Sequence, residues 1–129
     1  MDGTKVDGDR ESSGLEQIVD QDSHDAIINK STQAANVPIV IIVTSSTPAS
    51  KSLLSSIVQL SKSDDYQQAG VKWYEMQLTQ KTTPMIKFGP QNCPIVVLMR
   101  GTYCETLLGT RNVEVIEKKV GEMVARTRS

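Results

Sequence analysis

Between residues 88 and 101 the chain reads Phe88-Gly-Pro-Gln-Asn-Cys93-Pro94-Ile-Val-Val-Leu-Met99-Arg100-Gly101, and this stretch narrows the fold more than any other. Pro94 heads a run of five apolar residues. A proline has no N–H to give a β-ladder, so at the head of a buried strand it must fall where no ladder bond is needed. Such positions often carry a cis peptide bond. Arg100-Gly101 then permits a tight return into a second β-prone run, 102–108. The segment therefore predicts a hairpin that starts at a proline and finishes a mixed sheet.

The rest of the chain supplies the partners of that hairpin. Residues 39–43 (Ile-Val-Ile-Ile-Val) are apolar without alternation, the pattern of a central strand covered on both faces. Thr47-Pro48 is a helix start, with a hydroxyl for the cap and proline at the first helical position. Leu53, Leu54, Ile57, Val58 and Leu60 make the stripe of that helix, which is expected to end at 63–65. Residues 71–78 alternate as a strand, with Val71 and Trp73, then Met76 and Leu78, contributing apolar area. A short helix is expected at 84–88, stopped by Gly89-Pro90. Near the start, 15–19 is a short strand. A helix follows from Asp20, Asp22 and Ser23, whose oxygens can cap it, through Ala26, Ile27 and Ile28 to about Lys30. Residues 112–124 close the chain as an amphipathic helix, with Val113, Ile116, Val120 and Val124 on one side. The order β-α-β-α-β-α-β-β-α predicts an α/β protein with a mixed central sheet of about five strands flanked by helices. Residues 1–14 read as a flexible polar tail, 15–125 as the one domain, and 126–129 as a frayed end.

Composition excludes several classes of function. The 14 basic and 15 acidic residues nearly cancel, so no global field points to nucleic acid or to a membrane surface. The longest apolar run, 37–43 with Pro38 inside it, falls far short of the ~20 residues that span a bilayer. Acids occupy the first residues where a signal peptide needs an apolar core, and a cytoplasmic or nuclear protein is expected. Cys93 and Cys104 read as free thiols. A hairpin turning at 100–102 sets Cys104 opposite roughly residue 98, and Cys93 lies several ~3.3 Å steps away, beyond the ~7 Å limit for a bridge. His24 is the only histidine and sits among acids, so neither a His-rich metal site nor a Ser–His pair is expected. Two cysteines lack the further ligands of a metal centre, and no cofactor is expected. Trp73-Tyr74, without a basic stripe, reads as core rather than as a nucleic-acid stacking platform.

Several landmarks together resemble the thioredoxin fold over about residues 15–124. They are a helix opening just after the buried strand, Phe88-Gly89 ahead of Cys93-Pro94, the Gly101 turn, and Gly109 before the last helix. The resemblance implies a cis bond at Cys93–Pro94, facing the loop 44–51. It also implies two cysteines at the start of the helix, where the helix dipole stabilises a thiolate. Those positions hold Thr47 and Ser50. The family's buried proton-accepting acid is matched by Ile41, and its flanking aromatics by Val43 and Ser46. Dithiol exchange needs an attacking and a resolving thiol, and neither is present. The chain therefore resembles a redox-inactive member of the thioredoxin-like superfamily. Two kinds of relative fit this resemblance: the phosducin-like proteins, protein-binding cofactors that also lack the cysteine pair behind a polar N-terminal segment, and a small fungal- or protist-type thioredoxin-like paralogue.

Three functional readings follow. The first is a non-catalytic binding module, an adaptor or cofactor of a complex. Thr47, Pro48, Ser50, Cys93 and Pro94 frame a groove for an extended segment of a protein or peptide partner. The second is a single-thiol redox enzyme or sensor, with Cys93 activated by the helix N-terminus at Thr47. Its plain counterpart is a small buried residue at a strand start. The third is a homodimer that buries an apolar face against a like copy. The hydroxyl cluster 44–47 with Lys51 invites an anion, but it lacks the form of a phosphate loop and reads more simply as capping.

Overall fold

The computed structural model describes residues 15–33, 37–86, 90–100, 103–110 and 112–126. The tail expected at 1–14 and the last three residues lie outside them. Five strands are present: β1 (Glu16–Gln17), β2 (Ile39–Thr44), β3 (Lys72–Gln77), β4 (Ile95–Arg100) and β5 (Tyr103–Leu108). They form one sheet in the order β1-β3-β2-β4-β5. β3 runs parallel to both β1 and β2, while β4 is antiparallel to β2 and to β5. The α/β class and the mixed five-stranded sheet expected from the sequence are therefore what the chain forms.

β2 is buried along all six residues, as its unalternating run requires. Its side chains go alternately to two layers. Val40 and Ile42 join Leu53, Ile57, Val96, Leu98, Ile116 and Val120, under helices α2 (Pro48–Ser61) and α4 (Val113–Arg126). Ile39, Ile41 and Val43 join Ile18, Tyr74, Met76 and Ile95, with Ile27 of helix α1 (Gln21–Gln33). α4 is secured at both ends. Asn112 Oδ1 accepts the Glu114 amide at 2.9 Å, and buried Arg100 donates to the Met123 and Val124 carbonyls at 3.4 Å each. These partners answer the backbone groups that a helix leaves unsatisfied at its ends.

The structure departs from the sequence reading in four places. α1 continues through Gln33, because neither glycine nor proline interrupts the chain between Lys30 and Pro38. Ser63-Asp64-Asp65 does not close α2 into a loop but opens a further short helix, α3 (Asp64–Gln68). Two acids in its first turn complement the positive end of the helix dipole. The short helix expected at 84–88 is a single 3₁₀ turn at Thr83–Met85, with a second turn at Pro90–Asn92. Residues 87–89 lie outside the described residues. In the hairpin Cys104 stands opposite Met99, one residue from the expected register, and both cysteines are free.

Ile57 is wholly enclosed between α2 and the sheet, so Ile57→Ala should destabilise the fold by about 2–5 kcal/mol through lost burial and the cavity left behind. Urea denaturation would measure it as a lower midpoint at unchanged slope.

Candidate functional site

The ends of three strands meet at one edge of the sheet. β2 ends at Thr44, and the register Val43↔Ile95, carried one residue further, sets Pro94 beside it. Thr44 also pairs with Gln77 at the end of β3. The Cys93–Pro94 bond is cis. The segment before it is held from the far side, where the Gly109 amide donates to the carbonyls of Asn92 at 2.8 Å and Pro94 at 3.0 Å. Gly109 has φ +63°, a conformation side chains rarely adopt, which accounts for glycine there.

From Thr44 the chain enters α2 through a loop whose hydroxyls and amides bond to one another. Thr47 is the N-cap, and its Oγ1 accepts the Ser50 amide at 3.3 Å. Ser50 Oγ accepts the Ser45 amide at 3.1 Å, and Ser45 Oγ accepts the Thr47 amide at 3.4 Å. The three hydroxyls also touch, Ser45 Oγ lying 3.0 Å from Thr47 Oγ1 and 3.2 Å from Ser50 Oγ. This ring of bonds is the capping arrangement read from the sequence, and it engages the amides of Ser45, Thr47 and Ser50.

Of the five residues expected to frame the groove, Thr47 and Pro48 are exposed at the surface. Ser50 is fully buried beneath them, holding the loop from inside. Cys93 and Pro94 are buried too, so they support the groove rather than line it. Cys93, 9% exposed, packs in the layer of Ile41, Val43 and Ile95. Burial pushes its thiol above the ordinary value, the direction opposite to that of an activated nucleophile.

One residue of this edge escaped the sequence reading. Glu75 on β3 is 1% exposed, on the face of β3 that looks toward α2. Gln17 Nε2 donates to its Oε1 at 2.8 Å and Thr44 Oγ1 to its Oε2 at 2.9 Å. A carboxyl group that is fully buried is rare without such partners. The signal was in the alternation of β3, which puts Glu75 in phase with Val71 and Trp73 on an inward face. Above Glu75 lies a cleft of about 430 Å³, whose walls include Thr44, Ser45, Lys51, Leu54 and Leu78.

The remaining sequence candidates lie elsewhere. His24 is on α1, across the sheet from α2, with Nδ1 3.5 Å from Asp25 Oδ1. Trp73 packs against Tyr66 with ring centroids 5.9 Å apart, and Tyr74 is core. Among the described residues no group of three or more His, Cys, Asp or Glu side chains is placed to hold a metal. No described helix is long and apolar enough to cross a membrane.

Comparison with solved structures gives this architecture its class. One likeness is a structure from a study of thiol resolving in yeast mitochondrial 1-Cys peroxiredoxin by glutathione/thioredoxin systems. It has a TM-score of 0.65 and 15% identity, over 84% of this chain and 94% of the other. Oxidised mitochondrial thioredoxin 3 of Saccharomyces cerevisiae gives 0.63 at 14% identity, over 85% and 96%. Oxidised thioredoxin O2 of Arabidopsis thaliana gives 0.60 at 14%, over 86% and 95%. No protein-family model matches the sequence, and no curated protein does. At such identities the likeness is one of fold, and the fold is thioredoxin-like.

Two expectations follow for the Cys93 layer. At pH 7, iodoacetamide should modify exposed Cys104 (in Cys93→Ser) about tenfold or more faster than buried Cys93 (in Cys104→Ser), as read by intact-mass spectrometry. Burial raises the Cys93 and Tyr74 pKa values, with Glu16 adding to the shift of Tyr74. The fold thus favours their neutral forms. That stability is complete below the unfolded pKa values and is lost as pH rises through the folded ones. The urea midpoint should fall from about pH 9 upward.

Proposed function

We propose that this chain is a non-catalytic, thioredoxin-like protein-binding module, an adaptor or cofactor of a protein complex. The observation that carries the reading is the loop at the start of α2. Where the resemblance expects two thiols stand Thr47 and Ser50, both consumed in capping. A hydroxyl cannot exchange with a disulfide, so these positions hold shape instead of reacting. Exposed Ser46, Thr47 and Pro48 leave a small, rigid surface beside Pro94. An extended partner segment can lie along it and gain affinity without the cost of ordering a flexible loop. This is a role of the kind the phosducin-like proteins have, and it belongs to the cytoplasm or nucleus.

The single-thiol reading of Cys93 runs against its burial and raised pKa, since a thiol needs access and thiolate character to act. Nothing in the site favours it over packing.

Thr47→Asp separates binding from folding. Aspartate is as good an N-cap as threonine, so the melting temperature should hold, while the new charge on the exposed loop should weaken the partner segment about tenfold. The readout is affinity by titration for a segment selected from a displayed peptide library on the wild-type protein. A library that yields no segment, or an affinity indifferent to Thr47→Asp, would refute the module at this edge. Turnover of a disulfide substrate that depends on Cys93 would replace it with the thiol reading.

A further inference from the structure

We propose that β5 pairs antiparallel with β5 of a second copy of this chain, joining the two sheets into one continuous sheet. The inference concerns the lateral edge of the sheet and is independent of what the 44–50 loop binds.

The sheet order ends in β1 on one side and in β5 on the other. β1 is two residues long, and a short edge strand is one way in which proteins avoid pairing with other chains. β5 has six residues in unbroken register with β4, from Ile95↔Leu108 to Arg100↔Tyr103. It holds no proline, lysine or bulge, the other common protections of an edge. Its one charge, Glu105, is engaged within its own chain by Lys119 at 3.1 Å and by the Tyr103 hydroxyl at 2.7 Å.

The ladder decides which backbone groups face outward. The Gly109 amide donates to the Pro94 carbonyl, so this pair is a hydrogen-bonded one. Bonded and non-bonded pairs alternate along an antiparallel ladder. The N–H and C=O groups of Cys104, Thr106 and Leu108 are therefore turned away from β4. Among the described residues no hydrogen bond engages them. Their side chains are exposed too, on the face that carries half-buried Val97 and Met99 of β4.

Register selects a like copy. With Thr106 opposite Thr106 of the second copy, each Cys104 meets a Leu108, and every such pair exchanges two hydrogen bonds. On the other face Glu105 then meets Leu107, so like charges do not oppose each other. An axis moved to Glu105 would set two acids face to face. One moved to Leu107 would carry the pairing past Leu108, where β5 ends. The strand is thus complementary to itself about a twofold axis at Thr106, as an isologous dimer requires. A net charge of −1 gives two copies little reason to repel.

The test uses the full chain. Sedimentation velocity should show a concentration-dependent dimer between about 1 μM and 1 mM. Thr106→Lys changes an exposed side chain, so circular dichroism should show the fold intact. Two opposed ammonium groups should nevertheless weaken the dimer at least about fivefold. Register is read by disulfide trapping. In a Cys104→Ser background, Thr106→Cys puts thiols on Cα atoms ~5.5 Å apart across the axis, within bridging range. Mild oxidation should convert that variant to a covalent dimer on a non-reducing gel. Wild-type Cys104 stands four residues, ~14 Å, from its counterpart and should crosslink at least about tenfold more slowly. A chain that stays monomeric to about 1 mM overturns the proposal. So does a dimer that Thr106→Lys leaves unmoved, or one that Cys104 traps as fast as Thr106→Cys does. If Thr106→Lys does not fold, the trapping comparison decides alone.

Discussion

β2 is the constraint from which the rest of the molecule follows. Six consecutive residues are buried on both faces, with β3 parallel on one side and β4 antiparallel on the other. Enclosed backbone must have every N–H and C=O paired, so both neighbours are obligatory. Their directions then decide what stands beside the end of β2. A parallel neighbour brings its own C-terminal end, with Glu75 and Gln77. An antiparallel one brings its beginning, with Cys93 and Pro94. The proposed binding edge is thus placed by strand direction, outside the carboxyl ends of parallel strands, where open α/β sheets meet their ligands.

Two kinds of polar economy operate at that edge. In the 44–50 loop the hydroxyls and amides of Ser45, Thr47 and Ser50 bond to one another, so much of the turn into α2 is held locally. Glu75 is the reverse case: Gln17 of β1 and Thr44 of β2 both donate to its carboxyl, which brings them together only when the sheet is assembled. The loop is local, whereas the acid depends on the whole tertiary structure.

That contrast explains what could be read from the sequence. The unalternating run at 39–43, the Thr47-Pro48 start and the Pro94 hairpin are local signals, and each produced its element. The cap at Thr47 was equally visible, since a hydroxyl before a proline at a helix start has one dominant use. Burial of Ser50 was not, because it depends on how α2 lies on the sheet. Glu75 stands in phase with Val71 and Trp73, but the partners that let an acid be buried there, Thr44 and Gln17, are 31 and 58 residues away in sequence and cannot be read locally. Strand propensity does not distinguish an inward acid from an outward one. α3 and the two 3₁₀ turns were blurred for a different reason: elements of three to five residues leave too little periodicity to read.

Gly109 joins parts of the molecule that are otherwise described separately. Its amide is shared between Asn92 and Pro94, and three residues later Asn112 caps α4. The beginning of β4 and the beginning of α4 are therefore tethered through one backbone group. At its far end α4 is fastened to the sheet by Arg100, so the helix behaves as a strut pinned at both ends, and it stiffens the edge from the opposite side of the chain.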